Sequence, residues 1–259
     1  MKDIDMLISD FKGLKEVNAF TIGGSRATGR SDEKSDYDVY IYINQAISEE
    51  IRTQILEKHC SYMEIGNHYW ELEDNCTLNN GIDIDIIYRD LEQFKGEIKS
   101  VVDDHISHNG YTTCMWHNLV TAQIIFDKTG ELTSLKKSYQ RSYPQELKKN
   151  IIGQNIRLLS GVLPSYDLQI KKAIERKDLV SINHRVTEFL ASYFDIIFAL
   201  NEMTHPGEKR QMSICLEQCK LLPLNFEKNL NRLFYSMFDG EVVNQVINDI
   251  VLEIKHLAF

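Results

Sequence analysis

The segment 22–43 places the strongest constraint on how this chain can fold. It reads IGGSRATGRSDEKSDYDVYIYI, so a glycine pair closes one apolar run and two carboxylates open another. Gly23 and Gly24 permit a tight turn and a close approach of the backbone to a bound group. Asp36 and Asp38 are two residues apart, so in an extended strand both side chains project from one face of the sheet.

These residue types in this order indicate phosphate and metal chemistry. Two carboxylates on one face repel each other unless a cation or solvent compensates, and hard cations such as Mg²⁺ prefer oxygen ligands. A short helix beginning at Ser25 would direct its first amides at an anion. The alternative is that Asp36 and Asp38 only cap a turn or helix, but the adjacent glycine turn favours a metal pair.

Periodicity predicts a mixed first domain. Apolar residues at helical spacing predict an amphipathic helix over 4–17, and a second helix is predicted to begin near Ser48. The predicted strands span 19–22, 36–43 and 82–88. In the last of them Asp83 and Asp85 alternate with isoleucines and so share a face. The segment 66–80 does not have a clear period.

From Pro144 onward the pattern is almost wholly helical. The predicted helices lie near 145–160, 165–177, 179–202, 207–220, 225–238 and 240–257. The sequence therefore predicts an α+β protein, in which a small mixed-sheet domain at 1–142 is followed by an all-α helical bundle at 143–259.

Charge limits the class of partner. The chain of 259 residues has a formal net charge of −9. Residues 1–142 hold 24 Asp and Glu against 15 Lys and Arg, which accounts for that excess. Ordinary solubility charge is the favoured explanation, and the alternative is a cleft that attracts metal ions and cationic ligands. Long nucleic acid is disfavoured, because gripping it needs a broad basic surface.

Other features bear on the cell compartment. The five cysteines have no framework spacing and the N-terminus lacks an apolar signal core, so reduced thiols in the cytoplasm are expected. The most apolar stretch, 189–200, is short and contains Asp195, which predicts a buried helix and no membrane span. A zinc site is suggested by His105, His108, Cys114 and His117, but it lacks a zinc-fold context and is disfavoured.

The glycine turn, the paired Asp36 and Asp38 and a later strand carboxylate resemble the signature of the polymerase-beta-like nucleotidyltransferase superfamily. The chain also resembles uncharacterised bacterial nucleotidyltransferase-domain proteins related to the aminoglycoside nucleotidyltransferases. Further matching segments are 85–89, 110–114 and 205–210.

The resemblance implies a role for each residue. Gly24 and Ser25 would hold the terminal phosphates of a nucleoside triphosphate. Asp36 and Asp38 would bind one or two Mg²⁺ ions. Asp85 would complete the metal site or take the proton from the acceptor hydroxyl, with Asp83 as the alternative.

Cations could assist that triphosphate. Arg26, Arg30 and Lys34 lie between the turn and the metal pair, and solvated loop charge explains each of them equally well. Lys209 and Arg210 are predicted to occupy a first helical turn, where the helix dipole disfavours cations. A bound triphosphate would compensate, and an ordinary salt bridge would too.

A pair of aromatic residues, Tyr69 and Trp70, could stack on a base or sugar beside Glu71, Glu73 and Asp74, although core or surface packing is favoured. The predicted activity is transfer of a nucleoside monophosphate, AMP from ATP, to a hydroxyl of a small molecule that resembles an aminoglycoside. The alternatives are a toxin-like transferase acting on tRNA or protein, and a non-catalytic nucleotide-binding regulator.

Overall fold

The computed structural model describes residues 2–29, 32 and 35–259. They form two compact units, one of residues 1–99 with 118–141 and the other of residues 100–117 with 142–259. Across the described residues, no helix has the length and apolar character needed to cross a bilayer. The predicted α+β class, with a mixed sheet followed by a helical region, is confirmed.

The first unit is built on one six-stranded sheet with the order β3-β4-β5-β2-β1-β6. Its strands are β1 (Val17–Ile22), β2 (Tyr37–Ile43), β3 (Cys60–Asn67), β4 (Leu72–Leu78), β5 (Asp83–Asp90) and β6 (Gln123–Asp127). The β2 and β5 strands pair in parallel, and the other neighbours pair antiparallel. The ambiguous segment 66–80 thus contains a complete strand.

The helices before the helical region are α1 (Lys2–Lys12), α2 (Gly24–Ala27), α3 (Glu49–Leu56), α4 (Leu91–Val102), α5 (Cys114–Thr121) and α6 (Glu131–Tyr139). The predicted start of α3 is confirmed, because Ser48 Oγ accepts from Ile51 N. The predicted helix over 4–17 is too long. It stops before Gly13, and Val17 already belongs to β1.

One face of the sheet carries the apolar core. The apolar side of α1 packs there through Leu7 and Phe11, which are fully buried with Ile41 and Ile84 of the central strands. Side chains alternate along a strand, so residues an odd number of positions from Ile41 on β2, or from Ile84 on β5, project from the opposite face. That face holds Asp38 and Asp85, so the same period that fills the core exposes both carboxylates to the other side.

The helical region contains α7 (Gln145–Leu159), α8 (Tyr166–Glu175), α9 (Leu179–Leu200), α10 (Gln211–Gln218), α11 (Phe226–Ser236) and α12 (Gly240–Ala258). Each of the first five falls within a predicted helical segment, and α12 extends one residue beyond its predicted end. The buried carboxylate of Asp195 on α9 accepts from Thr112 N at 3.1 Å, from Thr112 Oγ1 at 2.6 Å and from Asn155 Nδ2 at 3.3 Å. It thereby fastens the segment before α5 to α9.

We expect the stability of Asp195→Asn, measured relative to the parent, to rise with pH. Burial raises the pKa of Asp195 from its ordinary 3.8 to about 7, so the folded state keeps a proton that the unfolded state releases. That contribution to stability is present below pH 3.8 and is lost as the pH rises through 7. The amide does not titrate, so the free energy of unfolding of the variant, relative to that of the parent, should rise by about 3 kcal/mol between pH 5 and pH 8.

The measurement is denaturant unfolding of the parent and Asp195→Asn at pH 5 and pH 8, since other titrating groups are common to both proteins. The same difference in the free energy of unfolding between the two proteins at pH 5 and at pH 8 would contradict the expectation. Asp195→Ala should be destabilising at either pH, because it leaves the buried amide of Thr112 without a partner.

Candidate active site

The glycine turn is packed directly against the second carboxylate of the motif. Gly23 N donates to the carbonyl of Asp38 at 2.8 Å. Gly24 has a φ of +58°, and a Cβ atom on it would lie 1.7 Å from Asp38 Oδ2. A Cβ on Gly23 would lie 2.6 Å from Tyr40 Cε2. Both glycines are therefore required by the space that the neighbouring strand occupies.

The single helical turn α2 follows Gly23. The first amides of a helix have no partner within it, so those of Gly24 and Ser25 suit an anion such as a phosphate. Ser25 is half-buried and adds a hydroxyl at the same place. These two residues thus bring donors beside Asp38, as phosphate binding requires.

The parallel pairing of β2 with β5 places Asp85 directly beside Asp38 in register. Across the next, antiparallel pair, Asp85 stands opposite Asn75 of β4. Neighbouring strands lie about 4.7–4.9 Å apart, so one cation could reach both carboxylates. Strand register therefore favours Asp85 as the third carboxylate of the motif.

Asp83 lies one row further along the same face. Its carboxylate is exposed, and its Oδ1 accepts from Thr77 Oγ1 at 2.7 Å. It is level with the beginning of β2, since Tyr37 pairs with Ile84. Asp83 thus lies where the pairing of β2 with β5 begins, whereas Asp85 lies beside Asp38.

Asp36 lies just before β2 and is held through its backbone. Arg26 Nε donates to the Asp36 carbonyl at 2.9 Å and to the Ser35 carbonyl at 3.1 Å, and the guanidinium lies 3.8 Å from the centre of the Tyr37 ring. In this arrangement Arg26 ties α2 to the approach to β2. A direct contact between Arg26 and phosphate stays a prediction.

Arg89 at the end of β5 organises the same face, and its role was not visible in the sequence. It donates to both oxygens of Glu71 at 2.8 and 2.7 Å and to Asn118 Oδ1 at 2.7 Å. Its guanidinium also stacks on Tyr40, 4.1 Å from the ring centre. Burial raises the pKa of Tyr40 to about 12, so this ring next to Gly23 is neutral. These contacts hold the Arg89 side chain in one position and connect Glu71, Asn118 and Tyr40.

Further carboxylates line this face. Glu73 is buried, and burial, with smaller effects of Asp85 and Glu71, raises its pKa. Glu64 of β3 pairs with Asn75 and extends the row that holds Asp85 and Asp38. The face is strongly acidic as a result.

Two of the residues considered with Glu73 lie in different surroundings. Asp74 points to the opposite face, where it is fully buried and pairs with Arg52 at 2.8 Å. Trp70 is 95% exposed in the connection between β3 and β4, beside the half-buried Glu71. Trp70 therefore does not belong to the core.

The donor set fits a hard divalent cation, because the facing groups of Asp38 and Asp85 are carboxylates. Among the residues that the structure describes, no group of three or more His, Cys, Asp and Glu side chains is arranged to hold a metal ion. Mg²⁺ at nucleotide sites is commonly held by one or two carboxylates together with substrate phosphates, so an adjacent pair is chemically sufficient.

Several predicted cations and ligands are placed elsewhere or not described. Arg30 and Lys34 lie outside the described residues. Lys209 and Arg210 are exposed and precede α10, which begins at Gln211 and not near residue 207 as predicted. Arg210 has a φ of +59°, so neither cation lies in a first helical turn. Their contact with phosphate stays a prediction.

The disfavoured zinc pattern does not form a metal cluster within the described part of the chain. Cys114 Sγ lies 3.5 Å from His205 Nδ1, and His117 Nδ1 lies 2.8 Å from Thr204 Oγ1. Burial raises the pKa of Cys114 to about 12, so its thiol is protonated. These residues pack the helical unit.

Two family models match consecutive parts of the chain. Residues 4–108 match the nucleotidyltransferase domain, and residues 112–210 match the domain of unknown function DUF4037. The chain therefore carries a nucleotidyltransferase domain. The predicted enzyme class is confirmed by this match. No curated protein sequence matches the chain.

Solved structures show distant likenesses. A nucleotidyltransferase-like protein from Exiguobacterium sibiricum is 11% identical, with a TM-score of 0.45, over 99% of this chain and 73% of that one. An aminoglycoside 6-adenyltransferase from Bacillus subtilis is 10% identical, with a TM-score of 0.29, over 100% and 90%. The CCA-adding enzyme of Thermotoga maritima, complexed with tRNA, is 10% identical, with a TM-score of 0.26, over 99% and 79%.

Proposed function

We propose that the protein is a Mg²⁺-dependent nucleotidyltransferase that moves AMP from ATP to a hydroxyl group of a small molecule and releases pyrophosphate. The observation that carries the proposal is the packing of the Gly24 turn on Asp38, with Asp85 beside it in register. Hydrogen-bond donors for phosphate, in the glycine turn, thus lie next to oxygen ligands for a cation on β2 and β5. Asp36, held just before β2, is the third ligand of the proposed set.

The chain's own residues would act by positioning. The amides of Gly24 and Ser25, with the Ser25 hydroxyl, would hold the terminal phosphates. Asp36, Asp38 and Asp85 would hold Mg²⁺, which when bound neutralises charge on the triphosphate. Asp85 could also take the proton of the acceptor hydroxyl.

The acceptor surface is proposed to be the remainder of the same acidic face. Glu64, Glu73 and Asp83 add carboxylates beyond the metal pair, which favours a cationic compound rich in hydroxyl groups, such as an aminoglycoside-like molecule. The exposed rings of Tyr69 and Trp70 follow β3 and offer surfaces on which a sugar could stack.

The test incubates the purified protein with each nucleoside triphosphate, labelled in turn at the α- and γ-phosphates, and with pooled small hydroxyl compounds, tRNA and proteins. With Mg²⁺ we expect the α-label of ATP in a small-molecule product and the γ-label in pyrophosphate. Chelation by EDTA should abolish the transfer, and added Mg²⁺ should restore it.

Other distributions of the label would redirect or reject the proposal. An α-label in tRNA or protein would favour the macromolecular transferase. Nucleotide binding without pyrophosphate release for any acceptor would favour a regulator. A γ-label in the acceptor would show a kinase reaction and exclude nucleotidyl transfer.

A further inference from the structure

Asn75 contacts the candidate metal ligand from outside the sequence motif. It lies on β4 opposite Asp85, and its Nδ2 donates to Asp85 Oδ1 at 2.7 Å. Asn75 is half-buried, so this bond is partly shielded from competing water. One oxygen of Asp85 is therefore engaged by the protein before any ligand arrives.

A chain of hydrogen bonds fixes the orientation of that amide. Asn67 Nδ2 donates to Asn75 Oδ1 at 2.7 Å and to Glu64 Oε2 at 3.2 Å. Tyr62 Oη in turn donates to Glu64 Oε1 at 2.7 Å. Turning the Asn75 amide over would place its oxygen against a carboxylate and its nitrogen against a donor. Only the orientation with Nδ2 towards Asp85 satisfies both contacts.

We propose that Asn75 is the positioning residue of the metal site. By holding Asp85 Oδ1, it fixes the rotation of the carboxylate, so that Oδ2 remains for the cation shared with Asp38. This inference rests on the proposed function, and it adds a residue on which metal affinity depends. Groups that orient metal ligands in this way typically change metal affinity by about 10- to 100-fold when they are removed.

The neighbouring row provides a matched control. Thr77 Oγ1 donates to Asp83 Oδ1 at 2.7 Å, the same distance as between Asn75 and Asp85. Thr77 is two residues from Asn75 on the same strand and faces the same side. Thr77→Val removes that hydrogen bond with little change of shape. It therefore shows how much the loss of a hydrogen bond to a carboxylate on this face changes metal affinity by itself.

The experiment measures Mn²⁺ binding by electron paramagnetic resonance, with the full-length protein and the non-hydrolysable donor α,β-methylene-ATP. Asn75→Ala should weaken Mn²⁺ binding by about tenfold, whereas Thr77→Val should change it by less than about twofold. In an Asp85→Asn background, Asn75→Ala should have no further effect, because its contribution passes through Asp85. Asn67→Ala should weaken binding in the same direction by about threefold, since it only releases the Asn75 amide.

The outcomes separate this proposal from the function on which it rests. If the parent binds no Mn²⁺ with nucleotide, the metal-dependent function fails and the positioning role fails with it. If the parent binds Mn²⁺ but Asn75→Ala binds it equally well, only the positioning role is wrong. An equal loss in both Asp85 backgrounds would show a general structural effect and also overturn it. Thermal melting checks folding, and Asn67→Ala decides the case if Asn75→Ala does not fold.

Discussion

Gly24→Ala is expected to reduce pyrophosphate release at least about 100-fold, because it displaces Asp38, a proposed metal ligand. The new Cβ would lie 1.7 Å from Asp38 Oδ2 and 2.6 Å from Asp38 Cγ, distances that atoms in proteins do not adopt. The carboxylate or the turn must therefore move. Either movement would separate the amides that hold the phosphates from the cation that the same phosphates contact.

Gly81→Ala is the matched control for backbone strain. Gly81 has a φ of +83°, so alanine is strained there as well, but no neighbouring atom lies within 4 Å of its Cβ position. Both variants should lose about 1 kcal/mol of stability through the left-handed backbone. Initial rates and thermal melting are measured for both proteins. Equal activity of the two variants would mean that the contact with Asp38 does not matter for catalysis.

Asp38→Asn and Asp85→Asn are each expected to lower the rate by about 10³-fold, while Asp83→Asn stays within about threefold of the parent. Asparagine keeps the shape of each side chain but removes the negative charge that a cation requires. The difference arises from register, since Asp85 pairs with Asp38 and Asp83 does not. Initial rates of pyrophosphate release at saturating nucleotide measure the effect.

A Mg²⁺ titration of Asp85→Asn separates the two roles proposed for this residue. Recovery of the rate at high Mg²⁺ would identify Asp85 chiefly as a metal ligand. Unchanged Mg²⁺ dependence with a low rate would identify it as the group that accepts the proton. Loss of activity in Asp83→Asn with retention in Asp85→Asn would show that the third carboxylate has been assigned to the wrong residue.

Local signals were enough to locate the motif but not its surroundings. The glycine pair and the alternation around Asp38 and Asp85 depend on neighbours in sequence, so turn and strand could be predicted. The choice between Asp83 and Asp85 depends on how β2 pairs with β5, and that register is set by distant segments. Only the structure places Asp85 beside Asp38.

Asn75 was missed for a specific physical reason. One face of β4 carries Leu72, Asp74, Cys76 and Leu78. Because Asp74 is charged, the alternation of apolar and polar residues that indicates a strand is hidden. Asp74 is tolerated there because Arg52 of α3 pairs with it, a contact that strand periodicity cannot reveal. Without a recognised strand, the polar residues on the other side could not be aligned with Asp85.

The cations of the helical region were predicted less well. The sequence predicted a helix from about residue 207, whereas Arg210 adopts a left-handed conformation just before α10. Such a conformation is uncommon for residues other than glycine, so propensity argues against it. The start of that helix could therefore not be read from composition.

The parallel pairing of β2 with β5 has a consequence for how the protein acquires activity. These strands are adjacent in space, yet β3 and β4 intervene between them in the chain. Pairing across such a separation carries the entropy cost of closing a long loop before its contacts form. Asp38 and Asp85 come together only after that closure. Cation binding at this proposed pair would thus report that β2 and β5 have paired, and a chain that has formed only its local hairpins would not carry out the proposed reaction.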